Sequence, residues 1–203
     1  MSIFKKEVIL KTIDKKYESI IEIKNSRFIS IIYKINSLDD VKKYLDEVKD
    51  KYPKATHYCY AYILNNKCKS SDDGEPGGTA GMPILNVLQK NNLNFVLAVV
   101  VRYFGGIKLG AGGLVRAYSK SVKFNLNNSN FILLFPSKEV EFSVEYSDSN
   151  NIDYLLRNMT ILEKKFLDKV YYHAYIDSSL ISVLDKYNLN IIGDSFIEKN
   201  AGN

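Results

Sequence analysis

Apolar positions along this chain fall into blocks whose spacing changes, and the changes mark out its elements. Residues 17–24 and 27–35 are rich in β-branched and aromatic side chains, and Asn25-Ser26 between them reads as a tight turn, which predicts a hairpin. Ser37 followed by Asp40 has the form of a capping box. Leu38, Val41, Tyr44, Leu45 and Val48 then recur at helical spacing until Pro53 forbids continuation. From His57 to Leu64 the alternation is that of a strand, with His57, Cys59 and Ala61 on one face and Tyr58, Tyr60 and Tyr62 on the other. A helix is predicted over about 82–91, with Pro83 tolerable in its first turn. The nearly unbroken apolar run from Phe95 to Tyr103 predicts a strand buried on both faces, and a further helix is predicted over about 114–125. Past Leu134-Phe-Pro-Ser137 the order becomes strand (139–146), helix (149–158), strand (160–167), strand (169–176), helix (178–187), strand (190–198), with 199–203 frayed. That order is a βαββαβ unit of ferredoxin-like type.

The pattern implies an α+β protein of two domains, residues 1–135 and 136–203, and 46% hydrophobic residues are enough to build their cores. No apolar run approaches the roughly 20 residues that cross a bilayer, and residues 1–30 lack the arrangement of a secretory signal. A cytoplasmic location is expected, with Cys59 and Cys68 as free, buried thiols and no membrane partner. Residues 1–135 hold 21 Lys and Arg against 12 Asp and Glu, a net +9, whereas 136–203 hold 7 against 11, a net −4. The basic part is therefore the candidate for phosphate or nucleic acid, and the acidic part for a basic protein partner.

Two segments concentrate nine of the eleven glycines, Ser71-Asp-Asp-Gly-Glu-Pro-Gly-Gly-Thr-Ala-Gly-Met-Pro83 and Arg102-Tyr-Phe-Gly-Gly-Ile-Lys-Leu-Gly-Ala-Gly-Gly-Leu-Val-Arg116. Glycine weakens regular structure by roughly 0.5–1 kcal/mol, so its clustering points to unusual dihedrals or close approach of a ligand. The second segment lies between a strand and a helix, where backbone N–H groups can face an anion. Arg102, Lys108 and Arg116 surround it, and with Arg27 they are the candidate phosphate contacts, on a loop shaped by Gly105, Gly106, Gly110, Gly112 and Gly113. Asp72, Asp73, Gly74 and Glu75, together with His57, are expected to form the opposite wall of a groove. An intramolecular latch between the acidic and the cationic segment is an alternative use of the same charges. Neither a phosphate loop nor a dinucleotide fingerprint matches the glycine spacing, and two histidines give little material for a metal site. A Cys59–His57 nucleophilic pair lacks an orienting third group. No catalytic residue, cofactor or metal is assigned.

Ser26-Arg27-Phe28, His57-Tyr-Cys-Tyr-Ala-Tyr62, the run from Ser71 to Gly81 and the run from Val99 to Leu114 together resemble the IMPACT family in its bacterial YigZ-type form. The resemblance implies an N-terminal domain like the second domain of small-subunit ribosomal protein five, a βαβ sandwich. It also implies a C-terminal domain like the last domain of elongation factor G. Both folds recur in proteins that touch RNA or the ribosome. The eukaryotic members restrain a kinase that inhibits translation initiation, through an extra N-terminal module that this chain is expected to lack, so the kinase pathway is not carried over.

The reading that follows is a non-enzymatic protein that binds RNA or the ribosome and regulates translation. Two alternatives stay open. One is an enzyme acting on a phosphorylated small molecule, with Asp73 or Glu75 as base. The other is a protein-interaction module that uses the acidic C-terminal domain.

Overall fold

The computed structural model describes residues 10–200, and they divide into two compact units at residues 132 and 133. The first unit contains β1 (Leu10–Ile13), β2 (Tyr17–Ile23), β3 (Ser26–Lys34), α1 (Leu38–Lys51), β4 (His57–Leu64), β5 (Lys67–Ser71), α2 (Gly81–Lys90), β6 (Val96–Tyr103) and α3 (Ala111–Leu126). Its sheet runs β2-β3-β6-β4-β5, every neighbouring pair antiparallel. The central strand β6 divides its side chains between two cores, as its unbroken apolar run predicts. Val96, Ala98 and Val100 face α2 and α3, while Leu97, Val99 and Val101 face α1. The α1 capping box forms as read, with the Ser37 hydroxyl accepting from Asp40 N and the Asp40 carboxylate accepting from Ser37 N.

Three local expectations need correction. Ile23 pairs with Ser26, so the hairpin turn is Lys24-Asn25, both at positive φ (46° and 60°), one residue earlier than expected. Such a two-residue turn matches the right-handed twist of the strands it joins. Strand β5 was not anticipated, because Lys-Cys-Lys-Ser-Ser at a sheet edge carries no apolar alternation. Cys68 on that strand is exposed rather than buried, and both cysteines are free.

The second unit takes most of β7 (Phe131–Val144), then α4 (Ser149–Leu155), β8 (Thr160–Phe166), β9 (Val170–Ile176), a helical stretch over 178–187 that includes α5 (Ile181–Leu184), and β10 (Asn190–Asn200). The expected βαββαβ order is present, and its four strands run β10-β7-β9-β8, the ferredoxin-like order, in a sheet whose fifth strand, β1, also pairs with β7. Val140, Phe142, Val170, Tyr172 and Ala174 pack beneath α4 and the 178–187 stretch, and Phe142 stacks on Tyr172 with ring centroids 5.1 Å apart. The break expected around 134–137 lies within β7, since Pro136 at the strand's exposed side does not interrupt it. Strand β10 continues to Asn200, so fraying does not begin at 199, and 201–203 lie outside the described residues. No helix among the described residues is long and apolar enough to cross a membrane.

The tightest backbone approach in the first unit is where the segment after β6 crosses the β2–β3 turn. A Cβ on Gly105 would lie 2.0 Å from the carbonyl carbon and oxygen of Asn25. Gly105→Ala must push two backbones apart, and we expect it to destabilise the protein by more than about 2 kcal/mol in urea denaturation. Gly77→Ala, where nothing lies within 4 Å, should change stability by less than about 0.5 kcal/mol.

Candidate functional site

The first glycine segment leaves β5 and enters α2, and three acidic side chains there have three different partners. Ala80, at the N-cap of α2, has no side chain able to cap the helix. Asp72 supplies the cap from upstream: Oδ1 accepts from Ala80 N (2.9 Å) and Gly81 N (2.8 Å), and Oδ2 accepts from Gly78 N (2.8 Å). Burial alone would raise the Asp72 pKa, but the three N–H donors outweigh it and hold the carboxyl below its ordinary range. Asp73, at φ 43°, accepts from Tyr58 N through Oδ2 (2.6 Å), and its carbonyl oxygen lies 2.7 Å from His57 Nδ1. His57 thus positions the acidic loop, and its ring lies 3.5 Å from where a Cβ on Gly74 would stand.

Glu75 turns inward. It is 8% exposed and its Oε1 accepts from Arg102 Nη1 (2.6 Å) and from the Tyr118 hydroxyl (2.7 Å), with His57 Nε2 3.9 Å from Oε2. Arg102 is 5% exposed, its guanidinium carbon 5.5 Å from the ring centroids of both Phe28 and Phe104, and its Nη2 reaches Ser26 Oγ at 3.5 Å. Ser26 Oγ also accepts from Gly105 N (3.2 Å). Tyr118, fully buried on α3, packs edge-on against Phe28 and receives the Cys59 thiol at 3.3 Å. Burial pushes the Cys59 thiol up to about 12, against the pull of the Tyr118 hydrogen bond. Burial likewise drives the Tyr118 hydroxyl far above its ordinary value, so both groups stay protonated.

This geometry revises the expected groove. Arg102 is enclosed and neutralised by Glu75 and does not face a ligand. Arg27 stands opposite Tyr103, with its guanidinium 4.8 Å from that ring, on the sheet face away from Arg102, because adjacent strand positions alternate sides. The two arginines are therefore not brought together. Asp72, Asp73 and Glu75 are occupied by backbone or buried partners, so they do not form an open wall, and neither Asp73 nor Glu75 is a free base. The latch alternative describes the Glu75–Arg102 pair.

Helix α3 begins at Ala111 rather than near 114, which places Gly112 and Gly113 inside its first turn. Gly110 is the N-cap at φ 71°, a conformation suited to glycine, and Gly106 is likewise at positive φ (84°). The second segment keeps Lys108 and Arg116 exposed, and Arg116 Nη1 folds back to 3.5 Å from where a Cβ on Gly112 would lie. The sequence reading missed Tyr118, one of fifteen tyrosines, whose only signal is its place four residues after Leu114 on the apolar face of α3. It also missed Ser26 as a shared acceptor.

The Impact N-terminal domain matches residues 24–126, which span β3 to the end of α3. An IMPACT family member of Bacillus subtilis, YvyE, is 37% identical over 171 residues, covering 82% of this chain and 79% of its own. The Escherichia coli family member YigZ is 39% identical over 140 residues, covering 66% and 69%. A solved crystal structure of a hypothetical protein superposes with a TM-score of 0.67 at 29% identity, covering 91% of this chain and 97% of that one.

Two predictions follow from the occupied acids. Glu75→Ala and Arg102→Ala each strand a buried charge and should each cost about 3–5 kcal/mol, while the double variant loses far less than their sum. Urea titrations of the four proteins measure the coupling. For Asp72, a depressed folded-state pKa contributes stability that is complete above the unfolded value of about 3.9 and is lost as pH falls through the folded value. Asp72→Ala should cost about 1–3 kcal/mol at pH 7, and its gap from the parent should narrow as pH is lowered below about 4.

Proposed function

This chain belongs to the IMPACT family, and we propose that it regulates translation in the cytoplasm by holding the phosphate backbone of an RNA, free or ribosomal, at the start of α3. The observation that carries the reading is an uncompensated helix N-terminus. The first turn of α3 contains no acidic residue and Gly110 offers no side-chain cap, so among the described residues no side chain caps the leading N–H groups of this 16-residue helix. Arg116 folds back toward that turn, and the exposed Lys108 precedes the N-cap by two residues. Backbone N–H groups with an adjacent guanidinium suit a phosphate oxygen and carry no base preference.

Along the same outward face of α3, Lys120 and Lys123 continue the positive charge beside exposed Val115 and Phe124. A strand tracking from Gly110 toward Asn127 meets cations at successive turns and an aromatic ring at the far end. Arg27 and Arg102 take no part in this reading.

The test is fluorescence anisotropy of labelled single-stranded RNA, together with co-sedimentation with purified ribosomal subunits, across a salt series. Each phosphate neutralised on a single strand steepens the log–log salt dependence by about 0.7, so Lys108→Ala with Arg116→Ala should make the slope shallower by about 1.4 and weaken binding. Arg27→Ala should leave both unchanged. RNA and subunit binding that is indifferent to the Lys108/Arg116 double substitution sinks the proposal.

A further inference from the structure

Strand β8 closes the second unit's sheet at an outer edge, bonded among the described residues to β9 alone. Six of its seven residues are exposed, only Lys164 being half-buried. Phe166 and the following Leu167 are 61% and 63% exposed, with Ile161 and Leu162 exposed at the other end. A long apolar edge strand is a template for further pairing, and proteins usually blunt such an edge with bare lysines. The lysines here are not bare. Lys164 Nζ is held by both carboxylate oxygens of Asp153 (2.8 and 2.7 Å), and Lys165 Nζ by Glu163 Oε2 (2.8 Å).

We propose that β8 is the contact through which two copies of this chain pair, antiparallel, about a two-fold axis at Lys164. The segment Ile161-Leu-Glu-Lys-Lys-Phe-Leu167 is self-complementary. Antiparallel pairing centred on Lys164 sets Glu163 opposite Lys165 of the second copy, Leu162 opposite Phe166, and Ile161 opposite Leu167, and each pair occurs twice by symmetry. The one like-charge meeting, Lys164 with itself, is neutralised in advance by Asp153. Glu163 and Lys165 face His173 and Tyr171 of β9, and Lys164 faces Tyr172, so the charged pairs lie on one face of the joined sheet and the Lys164 pair on the other. By the two-fold symmetry the bulge between Ile161 and Glu163 falls at both ends of the paired stretch, so the ladder is regular over 163–165 of each copy and the apolar residues beyond it meet as side-chain contacts. Tyr146, whose ring centroid is 6.4 Å from that of Phe166, widens the apolar contact at the end where the second copy's Ile161 and Leu162 would arrive. A single strand with these flanks is small beside the roughly 800 Å² per partner of a standard interface, so the dimer is expected to be weak and concentration-dependent.

Sedimentation equilibrium of the full chain from micromolar to submillimolar concentration tests this. A reversible monomer–dimer equilibrium is expected. Glu163→Lys and Lys165→Glu, each replacing two attractive pairs by two repulsive ones, should each weaken it about tenfold, and the double reversal should return it close to the parent value. Phe166→Ser should weaken it comparably. A chain monomeric throughout, a dimer indifferent to the single reversals, a double reversal that fails to restore association, or assembly that continues past the dimer each overturns the proposal.

Discussion

The ion pair between Glu75 and Arg102 is the constraint on which the first unit's functional end is built. Both groups are nearly enclosed, and taking two charges out of water costs several kcal/mol each unless their remaining hydrogen-bonding capacity is met. Here one carboxylate oxygen receives both the guanidinium and the Tyr118 hydroxyl, and the guanidinium lies near two aromatic rings. Arg102 Nε has no hydrogen-bond partner among the described residues. Glu75 belongs to the loop before α2, Arg102 to the end of β6, Tyr118 to α3 and Ser26 to the start of β3. One salt bridge thus registers four pieces of chain that are remote in sequence. Other hydrogen bonds of the two glycine segments, such as those from Tyr58 N to Asp73 and from Gly105 N to Ser26, tie each segment to the sheet but not to the other.

The glycines of the two segments serve different ends. Gly105 is needed because another backbone occupies the space of its side chain, and its amide bonds to Ser26 at the same crossing. Gly110 is needed for its dihedral, and it also leaves the helix start without a side chain that could cap it. Clustered glycine pointed correctly to a special region, but composition could not separate a glycine that accommodates the protein from one that leaves room for a ligand.

Elements whose periodicity is strong and local were legible in the sequence: α1 with its capping box, the doubly buried β6, and the order of the second unit. Those decided by backbone pairing were not. The turn at Lys24-Asn25 is set by the Ile23–Ser26 register, and β5 exists because β4 offers it an edge, not because Lys-Cys-Lys-Ser-Ser prefers a strand. The candidate site divides the same way. Its segments were legible, yet charge alone could not show that Arg102 is consumed by Glu75. Strand parity offered a usable signal: Arg102 pairs with Phe28 and His57, whereas Arg27 pairs with Tyr103, which places the two arginines on opposite faces.

The three helices of the first unit differ in how their N-termini are satisfied. Helix α1 satisfies its N-terminus with Ser37 and carries Asp39 and Asp40 in its first turn, and α2 borrows Asp72 from eight residues before its N-cap. Helix α3 has neither device among the described residues. Glu75 meets α3 through Tyr118, two turns in, and its charge is spent on Arg102. Burying that carboxylate with an arginine removes one negative and one positive charge together, and it leaves the α3 terminus with its N–H groups and two solvent-facing cations. The latch and the uncapped helix end share one element, since α3 carries both Tyr118, which bonds Glu75, and the Gly110 N-cap.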